Sequence, residues 1–244
     1  MPASHTGNKD SEKIFLEGPR SRLREFIFSL KVMFEFIRGF RVLHFVGPCV
    51  AVFGSARFRE DNPYYKDARK ISEGLADLGF TVITGGGPGI MEAANRGAKE
   101  KKGRSIGCNI LLPKEQQPNR YMDKWFQCEY FFVRKVLMFK YSSAFIIMPG
   151  GIGTLDEFFE ALTLIQTHKI IDFPIVVFGR SYWEPLMPLF YAMLDASTID
   201  AADLKYVLFT DSVDEALQHI KQVAMEKYEE HRTKTFRRYT ILGE

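Results

Sequence analysis

The sequence lacks several patterns that would place it at once in a large class of proteins. Its 244 residues contain no run of 18 or more uncharged apolar residues, so we expect no membrane span. The polar segment from Met1 to Asp10 has no apolar signal-peptide core. Cys49, Cys108 and Cys128 are an odd set without CxxC spacing, which favours buried free thiols in a reducing cytoplasm over a disulfide framework.

Charge and histidine spacing exclude further classes. The formal net charge of +3 is too small to indicate nucleic-acid binding by itself. The five histidines show no zinc-like spacing, so no metal site is predicted. The usual nucleotide fingerprints are also absent. The chain has Ile90 and Asp156 where its two glycine clusters would need the third glycine of GxGxxG, and it has no GK[ST] triplet.

From residue 49 onward, short apolar runs alternate with longer amphipathic segments. Near-continuous apolar strands followed by helices predict an α/β fold, Rossmann-like and doubly wound, with a mostly parallel sheet and helices on both faces. The predicted strands are Cys49–Phe53, Thr81–Ile83, Ser105–Ile110, Tyr130–Phe132, Ala144–Met148, Ile175–Phe178 and Val207–Phe209. Helices are predicted near 63–78, 89–102, 133–142, 154–168, 182–196 and 212–229.

We expect one domain over residues 47–230, with an extension before it and a basic, solvated tail over 231–244. Residues 1–19 are predicted to be a flexible, polar start. Residues 20–46 carry apolar side chains at helical spacing, with Arg and Lys between them. Two interpretations of this amphipathic helix stay open: it packs on the body or on a second subunit, or it lies on a membrane surface.

The segment Met148 to Glu157 is the most informative part of the chain. Three glycines in four residues follow a predicted strand and precede a helix predicted to begin at Thr154. Glycines at such a turn let the backbone approach a ligand, and the free N–H groups of the helix favour phosphate. Glu157 is predicted in the first helical turn, where the helix dipole favours the ionised carboxylate and suits a base or electrostatic stabiliser. Helix capping is the plain structural alternative for this acid.

Two other glycine segments, Gly54-Ser55 and Gly85 to Gly89, also follow predicted strands. Because ligands bind beyond the carboxyl ends of parallel strands, the three segments predict a shared ligand crevice. Tight turns that need glycine are the structural alternative for each loop. Arg134 and Lys135 project about 100° apart on a helix, so one of them can turn inward and bind an anionic or hydroxyl-bearing substrate. Two snorkelling surface cations are the alternative.

Four segments together resemble the LOG (Lonely Guy) family, long labelled lysine decarboxylase-like. Pro149 to Glu157 matches its PGGxGTxxE motif, and Val133 to Met138 resembles its RKxxM element. Gly85 to Met91 and Gly54 to Arg57 resemble its glycine loop and its first βα turn. The resemblance implies a Rossmann-like, typically dimeric enzyme that hydrolyses a nucleoside 5′-monophosphate, AMP or a cytokinin riboside monophosphate, to free base and ribose 5-phosphate.

The resemblance also implies residue roles. Arg134 and Glu157 correspond to the catalytic pair, and no metal or organic cofactor is implied. Substrate or phosphate binding is expected at the following positions, the first five coming from the other glycine loops: Gly54, Ser55, Gly86, Gly87, Gly89, Lys135, Gly150, Gly151, Gly153 and Thr154. In glycoside hydrolysis positive charge develops at the ribose carbon, so a carboxylate there stabilises the charge and orients or deprotonates water. Nothing in the sequence identifies the acid that protonates the leaving base.

The sequence leaves two other functions open. A non-catalytic nucleotide carrier would use the same cradle. A pyridoxal-phosphate decarboxylase, as the old label suggests, would need a buried Schiff-base lysine, and Lys135 is the candidate near the crevice.

Overall fold

The computed structural model describes the backbone of residues 11–110 and 117–233. Its centre is a parallel sheet of seven strands in the order β4-β3-β2-β1-β5-β6-β7. The strands are β1 Cys49–Phe53, β2 Thr81–Thr84, β3 Ser105–Ile110, β4 Lys124–Cys128, β5 Ser142–Ile147, β6 Ile175–Phe178 and β7 Val207–Thr210. The predicted Rossmann-like α/β fold is confirmed.

Helices cover both faces of the sheet. They are α1 Ser11–Leu16, α2 Arg22–Leu43, α3 Pro63–Asp77, α4 Ile90–Glu100, α5 Phe131–Tyr141, α6 Ile152–Gln166, α7 Arg180–Trp183, α8 Met187–Asp195 and α9 Val213–Thr233. In β1, Cys49, Ala51 and Phe53 face the layer of α2, α5, α6 and α8. Val50 and Val52 face the layer of α3, α4 and α9. Strands buried on both faces explain the continuous apolar runs of the sequence.

The strand order reverses at β1. Strands β2, β3 and β4 follow on one side of it, and β5, β6 and β7 on the other. The neighbouring strands β1 and β5 are in register, with Phe53 opposite Ile147 at their carboxyl ends. A crevice outside the strand ends opens at such a switch point. The first and third glycine segments of the sequence follow these two strands.

Two predictions within the domain were wrong. The strand expected at Tyr130–Phe132 is the start of α5, and the strand is Lys124–Cys128 instead. Because β4 lies at the sheet edge and exposes Lys124 and Trp125, it lacks the continuous apolar run on which the prediction relied. The helix expected over 182–196 consists of α7, a 3-10 turn over 184–186 and α8, since Pro185 and Pro188 interrupt regular helical bonding.

The terminal segments differ in part from expectation. Helix α1 lies within residues 1–19, which were expected to be flexible, whereas α2 confirms the predicted amphipathic helix. Helix α9 runs to Thr233, three residues into the expected tail. The remaining parts of those two expectations, residues 1–10 and 234–244, lie outside the described residues. Within the described chain we find no helix with the length and hydropathy needed to cross a bilayer.

Candidate functional site

The three glycine loops meet beyond the carboxyl ends of the strands. The Ser55 amide donates to the Pro149 carbonyl oxygen at 3.0 Å, which ties the loop after β1 to the loop after β5. The Ile90 amide donates to the Ser55 carbonyl oxygen at 3.0 Å, which adds the loop after β2. The close packing needs glycines, because a Cβ on Gly54 would lie 2.7 Å from Ile90 and one on Gly89 would lie 2.7 Å from Ala56. The three loops thus form one geometric unit, and their sharing of a ligand stays a prediction.

The loop after β5 has the geometry of an anion cradle. Helix α6 begins at Ile152 with Gly151 as its N-cap, and no side chain caps it. The Thr154 amide donates to the Gly151 carbonyl oxygen at 3.0 Å, so the amides of Ile152 and Gly153 are the first N–H groups without an acceptor in the helix. Open space surrounds the Cβ positions of Gly151 and Gly153, whereas a Cβ on Gly150 would lie 2.9 Å from Thr154 and 3.0 Å from the Ser55 nitrogen. Gly151 and Gly153 therefore leave room that no part of the described chain fills.

The loop after β2 rests on a buried polar network that the sequence analysis missed. The Asn95 side chain accepts from the Thr84 hydroxyl at 2.6 Å and from the Asn119 amide group at 2.9 Å, and it donates to the Ser105 hydroxyl at 2.8 Å. Polar residues inside helices and strands are the signal that would have indicated it, because buried amides need partners.

This network reaches the glycines themselves. The Gly86 amide donates to the Thr84 hydroxyl at 2.9 Å, and the Gly87 carbonyl oxygen accepts from the Asn119 side chain at 3.1 Å. Gly86 and Gly89 have φ of 72° and 70°, in the left-handed region that favours glycine. The need for tight turns therefore explains Gly86 and Gly89. Ligand contact by Gly86, Gly87 and Gly89 stays a prediction.

Glu157 is buried beside the cradle, with 4% of its surface exposed. Because α6 begins at Ile152 rather than Thr154, Glu157 lies in the second turn and not the first. Among the described residues none donates a hydrogen bond to its Oε2. Burial raises the pKa of Glu157 from 4.5 to about 7, against the lowering effects of the Arg134 and Lys135 charges. The sequence analysis expected the helix dipole to favour the ionised form, whereas burial acts in the opposite direction and favours the neutral form.

Arg134 is directed toward the crevice, as one of the two adjacent cations was expected to be. Its Nε donates to the Cys108 carbonyl oxygen at 3.0 Å at the end of β3. A Cβ added to Gly85 would lie 2.7 Å from its Nη2, so the glycine lets the guanidinium approach the loop after β2 closely. Its charge is also the largest influence that lowers the pKa of Glu157. Arg134 and Glu157, predicted as a pair, are therefore coupled electrostatically.

Lys135 points away from that pair. Its Nζ lies 2.8 Å from Asp156 Oδ2 and 2.5 Å from Glu160 Oε2, both on α6. These ion pairs join α5 to α6. To bind phosphate, Lys135 would have to exchange them for the ligand, so its binding role stays a prediction. Asp156 and Glu157 face different surroundings, as their adjacency in a helix requires.

Tyr182 contacts the cradle from α7, the short helix after β6. Its hydroxyl donates to the Gly150 carbonyl oxygen at 2.7 Å, and its ring meets Tyr64 edge-on at a centroid distance of 6.4 Å. The sequence analysis missed this residue because it treated the segment as one helix. A tyrosine three residues after Gly179, at the end of an apolar strand, was the available signal.

A cavity of about 1000 Å³ lies elsewhere. It opens at the amino ends of the strands, where Thr81, Arg104 and Ser142 line it. Its described lining contains no carboxylate. Because the glycine loops, Arg134 and Glu157 all lie at the opposite edge, we locate the candidate site there.

Comparison with known families agrees with this location. The family model described as "Possible lysine decarboxylase" matches residues 91–220, more than half of the chain. The chain belongs to this family, known as LOG. The match begins at Met91, just after the glycines of the loop after β2, and includes the Arg134-Lys135 element and the whole PGGxGTxxE motif.

Named LOG relatives act on nucleotides. The cytokinin riboside 5′-monophosphate phosphoribohydrolase of Mycobacterium tuberculosis is 29% identical over 159 residues, which cover 62% of this chain and 82% of that protein. The pyrimidine/purine nucleotide 5′-monophosphate nucleosidase of Escherichia coli K12 is 26% identical over 174 residues, covering 66% of this chain but 38% of that protein.

A solved structure supports the fold. The molybdenum cofactor binding protein of Rippkaea orientalis is 23% identical, with a TM-score of 0.54 over 72% of this chain and 97% of that one. At this identity the likeness concerns the fold alone.

Proposed function

We propose that this LOG protein is a phosphoribohydrolase that hydrolyses the N-glycosidic bond of AMP or of a cytokinin-type riboside monophosphate. The observation that carries the proposal is Glu157. A carboxyl group with 4% exposure, one oxygen without a donor among the described residues and a pKa near 7 lies beside an anion cradle. Perturbed acids in a cleft are typical of catalytic sites.

The proposed reaction uses the cradle and the acid in sequence. The 5′-phosphate binds the free N–H groups at the start of α6, with the glycines leaving room for its oxygens. The ionised form of Glu157 stabilises the positive charge that develops at the ribose C1′ as the bond to the base breaks. The same carboxylate removes a proton from the water that adds to C1′, and the released base takes up a proton. A pKa near 7 suits both accepting and releasing that proton at neutral pH.

Arg134 would fix the geometry of this step. Its guanidinium is anchored by Cys108 and lies on Gly85, so its remaining N–H groups are available to ribose hydroxyls or to Glu157. Once the substrate binds, the positive charge of Arg134 favours the ionised form of Glu157. We therefore assign Arg134 the role of orienting the ribose and the carboxylate.

The residues present fit a pyridoxal-phosphate decarboxylase poorly. A Schiff-base lysine needs a lowered pKa so that its amine is neutral. Burial lowers the pKa of Lys135, but the Asp156 and Glu160 carboxylates more than offset this, and the pKa is raised. A charged ammonium held by two carboxylates does not attack an aldehyde.

We also propose that the protein is a homodimer or higher homo-oligomer. One face of α2 carries eight large apolar side chains that are 36–69% exposed: Leu23, Phe26, Ile27, Leu30, Met33, Phe34, Ile37 and Phe40. We call this set the apolar face of α2. Its members recur at the three-and-four spacing by which one helix packs against another. A second copy of the chain is the proposed occupant.

The test of the enzymatic proposal is a chromatographic screen. Purified protein is incubated with a panel of nucleoside 5′-monophosphates, and released bases are quantified. We expect release of adenine from AMP or of a modified adenine from its ribotide. Glu157→Gln should lower the rate by at least about 10²-fold, since the charge that stabilises the transition state is lost. Glu184→Gln, which removes an exposed acid outside the glycine loops, is the matched control and should retain the wild-type rate.

Two outcomes would contradict the proposal. Wild-type turnover that Glu157→Gln leaves unchanged would remove Glu157 from the mechanism. Tight AMP binding in calorimetry with no base released from any nucleotide would identify a carrier protein instead, because the same cradle serves binding without hydrolysis.

A further inference from the structure

The helix that carries Arg134 begins without a cap of its own. Tyr130 is the N-cap of α5 and makes no side-chain capping bond. The first N–H groups of a helix need acceptors from elsewhere. Here the acceptors come from the N-terminal extension, more than 90 residues earlier in the sequence. Glu35 Oε1 accepts from the Glu129 amide at 3.0 Å and from the Tyr130 amide at 3.3 Å.

A second carboxylate of the extension completes this cap. Both carboxylate oxygens of Glu12 in α1 accept from the Phe131 amide at 3.1 Å. Three consecutive amides, those of Phe131 and of the two residues before it, are therefore satisfied by two acids from α1 and α2. Negative charge at a helix N-terminus is also favourable to the helix dipole.

Packing makes the extension and α5 one unit. A Cβ on Gly39 would lie 3.0 Å from Leu137 Cδ2, so glycine lets α2 press directly on α5. Phe28 of α2 meets the ring of Tyr130 edge-on at 5.1 Å, and Phe15 of α1 stacks on Phe28 at 4.0 Å. The position of the first turn of α5 is thus set by the extension.

That turn leads directly to the site. The Arg134 amide donates to the Tyr130 carbonyl oxygen at 3.2 Å, so Arg134 is one turn after the residue that Glu35 holds. At its other end α5 stops at Tyr141, and β5, which leads to the cradle, begins at Ser142. A displacement of the start of α5 would therefore move the guanidinium relative to Glu157.

Packing alone does not explain a glutamate at residue 35. It is 6% exposed, on a helix face otherwise formed by apolar residues and glycine. Burying a carboxylate costs free energy unless hydrogen bonds compensate. Burial raises the pKa of Glu35, while the bonds from Tyr130 and Glu129 act in the opposite direction. An apolar side chain would fill the same space but leave the amides of α5 without acceptors.

We propose that Glu35 is a positioning residue for the reaction: by capping α5 it sets where Arg134 stands in the crevice. This rests on the proposed function. It assigns the N-terminal extension to the active site, although the extension lies outside the region matched by the family model. Glu12 supports the same cap, and Glu35 carries most of it because it is buried and binds two amides.

The test compares three variants in the full chain. Glu35→Ala removes the cap, Glu35→Gln keeps an oxygen acceptor without the charge, and Val32→Ala truncates a partly buried α2 residue that packs on the same core. We expect Glu35→Ala to lower kcat about tenfold, because small misplacements of a catalytic group are costly, with KM for AMP changed less than about threefold. Glu35→Gln should recover most of kcat. Val32→Ala should lower the melting temperature and leave kcat at the wild-type value.

Hydrogen exchange provides a second readout that does not need turnover. The amides of Glu129 to Arg134 should exchange faster in Glu35→Ala than in Val32→Ala at matched global stability. The proposal is overturned if Glu35→Ala and Val32→Ala have equal kcat and equal exchange in this turn, or if Gln does not rescue.

Failure of the proposed function is recognised separately. If the wild type binds AMP but releases no base, the comparison is made on AMP affinity, where Glu35→Ala should bind more weakly than Val32→Ala. Equal affinities would then overturn the positioning role. A wild type that neither binds nor hydrolyses any nucleotide would overturn both proposals.

Discussion

The Ser55 amide and the Pro149 carbonyl oxygen, 3.0 Å apart, join the two loops that leave the sheet on either side of its switch point. Each loop belongs to a different half of the sheet, so this bond closes the crevice at its base. Ser55 also accepts from Ile90 through its carbonyl oxygen, and the backbone of one residue thereby holds three loops in place. The bond occupies the Ser55 amide, so the proposed phosphate contact is assigned to the N–H groups at the start of α6.

Two glycine substitutions should separate folding from ligand binding. Gly89→Ala places a Cβ at φ of 70° and within 2.7 Å of Ala56. We expect it to lower the free energy of unfolding by roughly 2–4 kcal/mol, from backbone strain and overlap together. Gly153→Ala enters open space at an ordinary φ and should change stability by less than about 1 kcal/mol.

Ligand binding, unlike stability, should be affected by Gly153→Ala. A methyl group at residue 153 would occupy the space proposed for phosphate oxygens, so Gly153→Ala should weaken AMP binding at unchanged stability. Urea denaturation and calorimetry measure the two quantities. If Gly153→Ala bound AMP as well as the wild type, the cradle would not hold the phosphate at that position.

The sequence predicted the sheet well where strands are buried on both faces. Cys49–Phe53, Ser105–Ile110 and Ile175–Phe178 were predicted to the residue, because continuous apolar runs identify central strands. It failed at β4, where an edge strand exposes Lys124 and Trp125 and the neighbouring aromatic residues belong to a helix. Strand type therefore depends on position in the sheet, which a local pattern does not contain.

For the site, motifs indicated the glycine loops and the acid but not what supports them. Asn95, Asn119 and Tyr182 hold the loops through bonds between residues distant in sequence, and no local spacing reveals such partners. The raised pKa of Glu157 was missed for a related reason. Its helix position is local information, whereas the desolvation that raises its pKa depends on the whole packed crevice.

Tyr182→Phe should loosen the cradle without unfolding the protein. The substitution removes the hydroxyl that donates to the Gly150 carbonyl oxygen but keeps the ring against Tyr64. We expect a loss of about 1 kcal/mol in the free energy of unfolding and weaker AMP binding, because the loop carbonyl is no longer fixed. Calorimetry and denaturation provide the measurements. Tyr191→Phe, at an exposed tyrosine of α8, is the matched control.

The apolar face of α2 should control the oligomeric state. Phe34→Asp places a charge at the middle of this face, so we expect a dimer to dissociate to 28.1 kDa monomers in light scattering after gel filtration. Arg24→Asp, on the same helix but off the apolar face, should leave the mass unchanged. A wild type that is already monomeric would contradict the dimer. Sedimentation with vesicles containing an anionic phospholipid would then test the membrane-surface interpretation of this basic helix.

Glu157→Gln should stabilise the protein above neutral pH while it removes activity. The pKa of Glu157 is about 7 in the folded state, against 4.5 when unperturbed, so between these values the folded state binds more protons than the unfolded state. Stability from this group therefore falls as pH rises from about 4.5 to about 7. The difference between these two pKa values corresponds to a loss of at most about 3 kcal/mol in the free energy of unfolding at pH 8, and the loss vanishes below pH 4.5.

Glutamine lacks this titration, so the stability of the variant should equal that of the wild type at pH 4 and exceed it at pH 8. Denaturation at both pH values measures the difference, with Glu184→Gln as the exposed control. Equal stability of wild type and Glu157→Gln at pH 8 would mean that substrate-free Glu157 ionises without penalty, and the acid-base role assigned to its raised pKa would be lost.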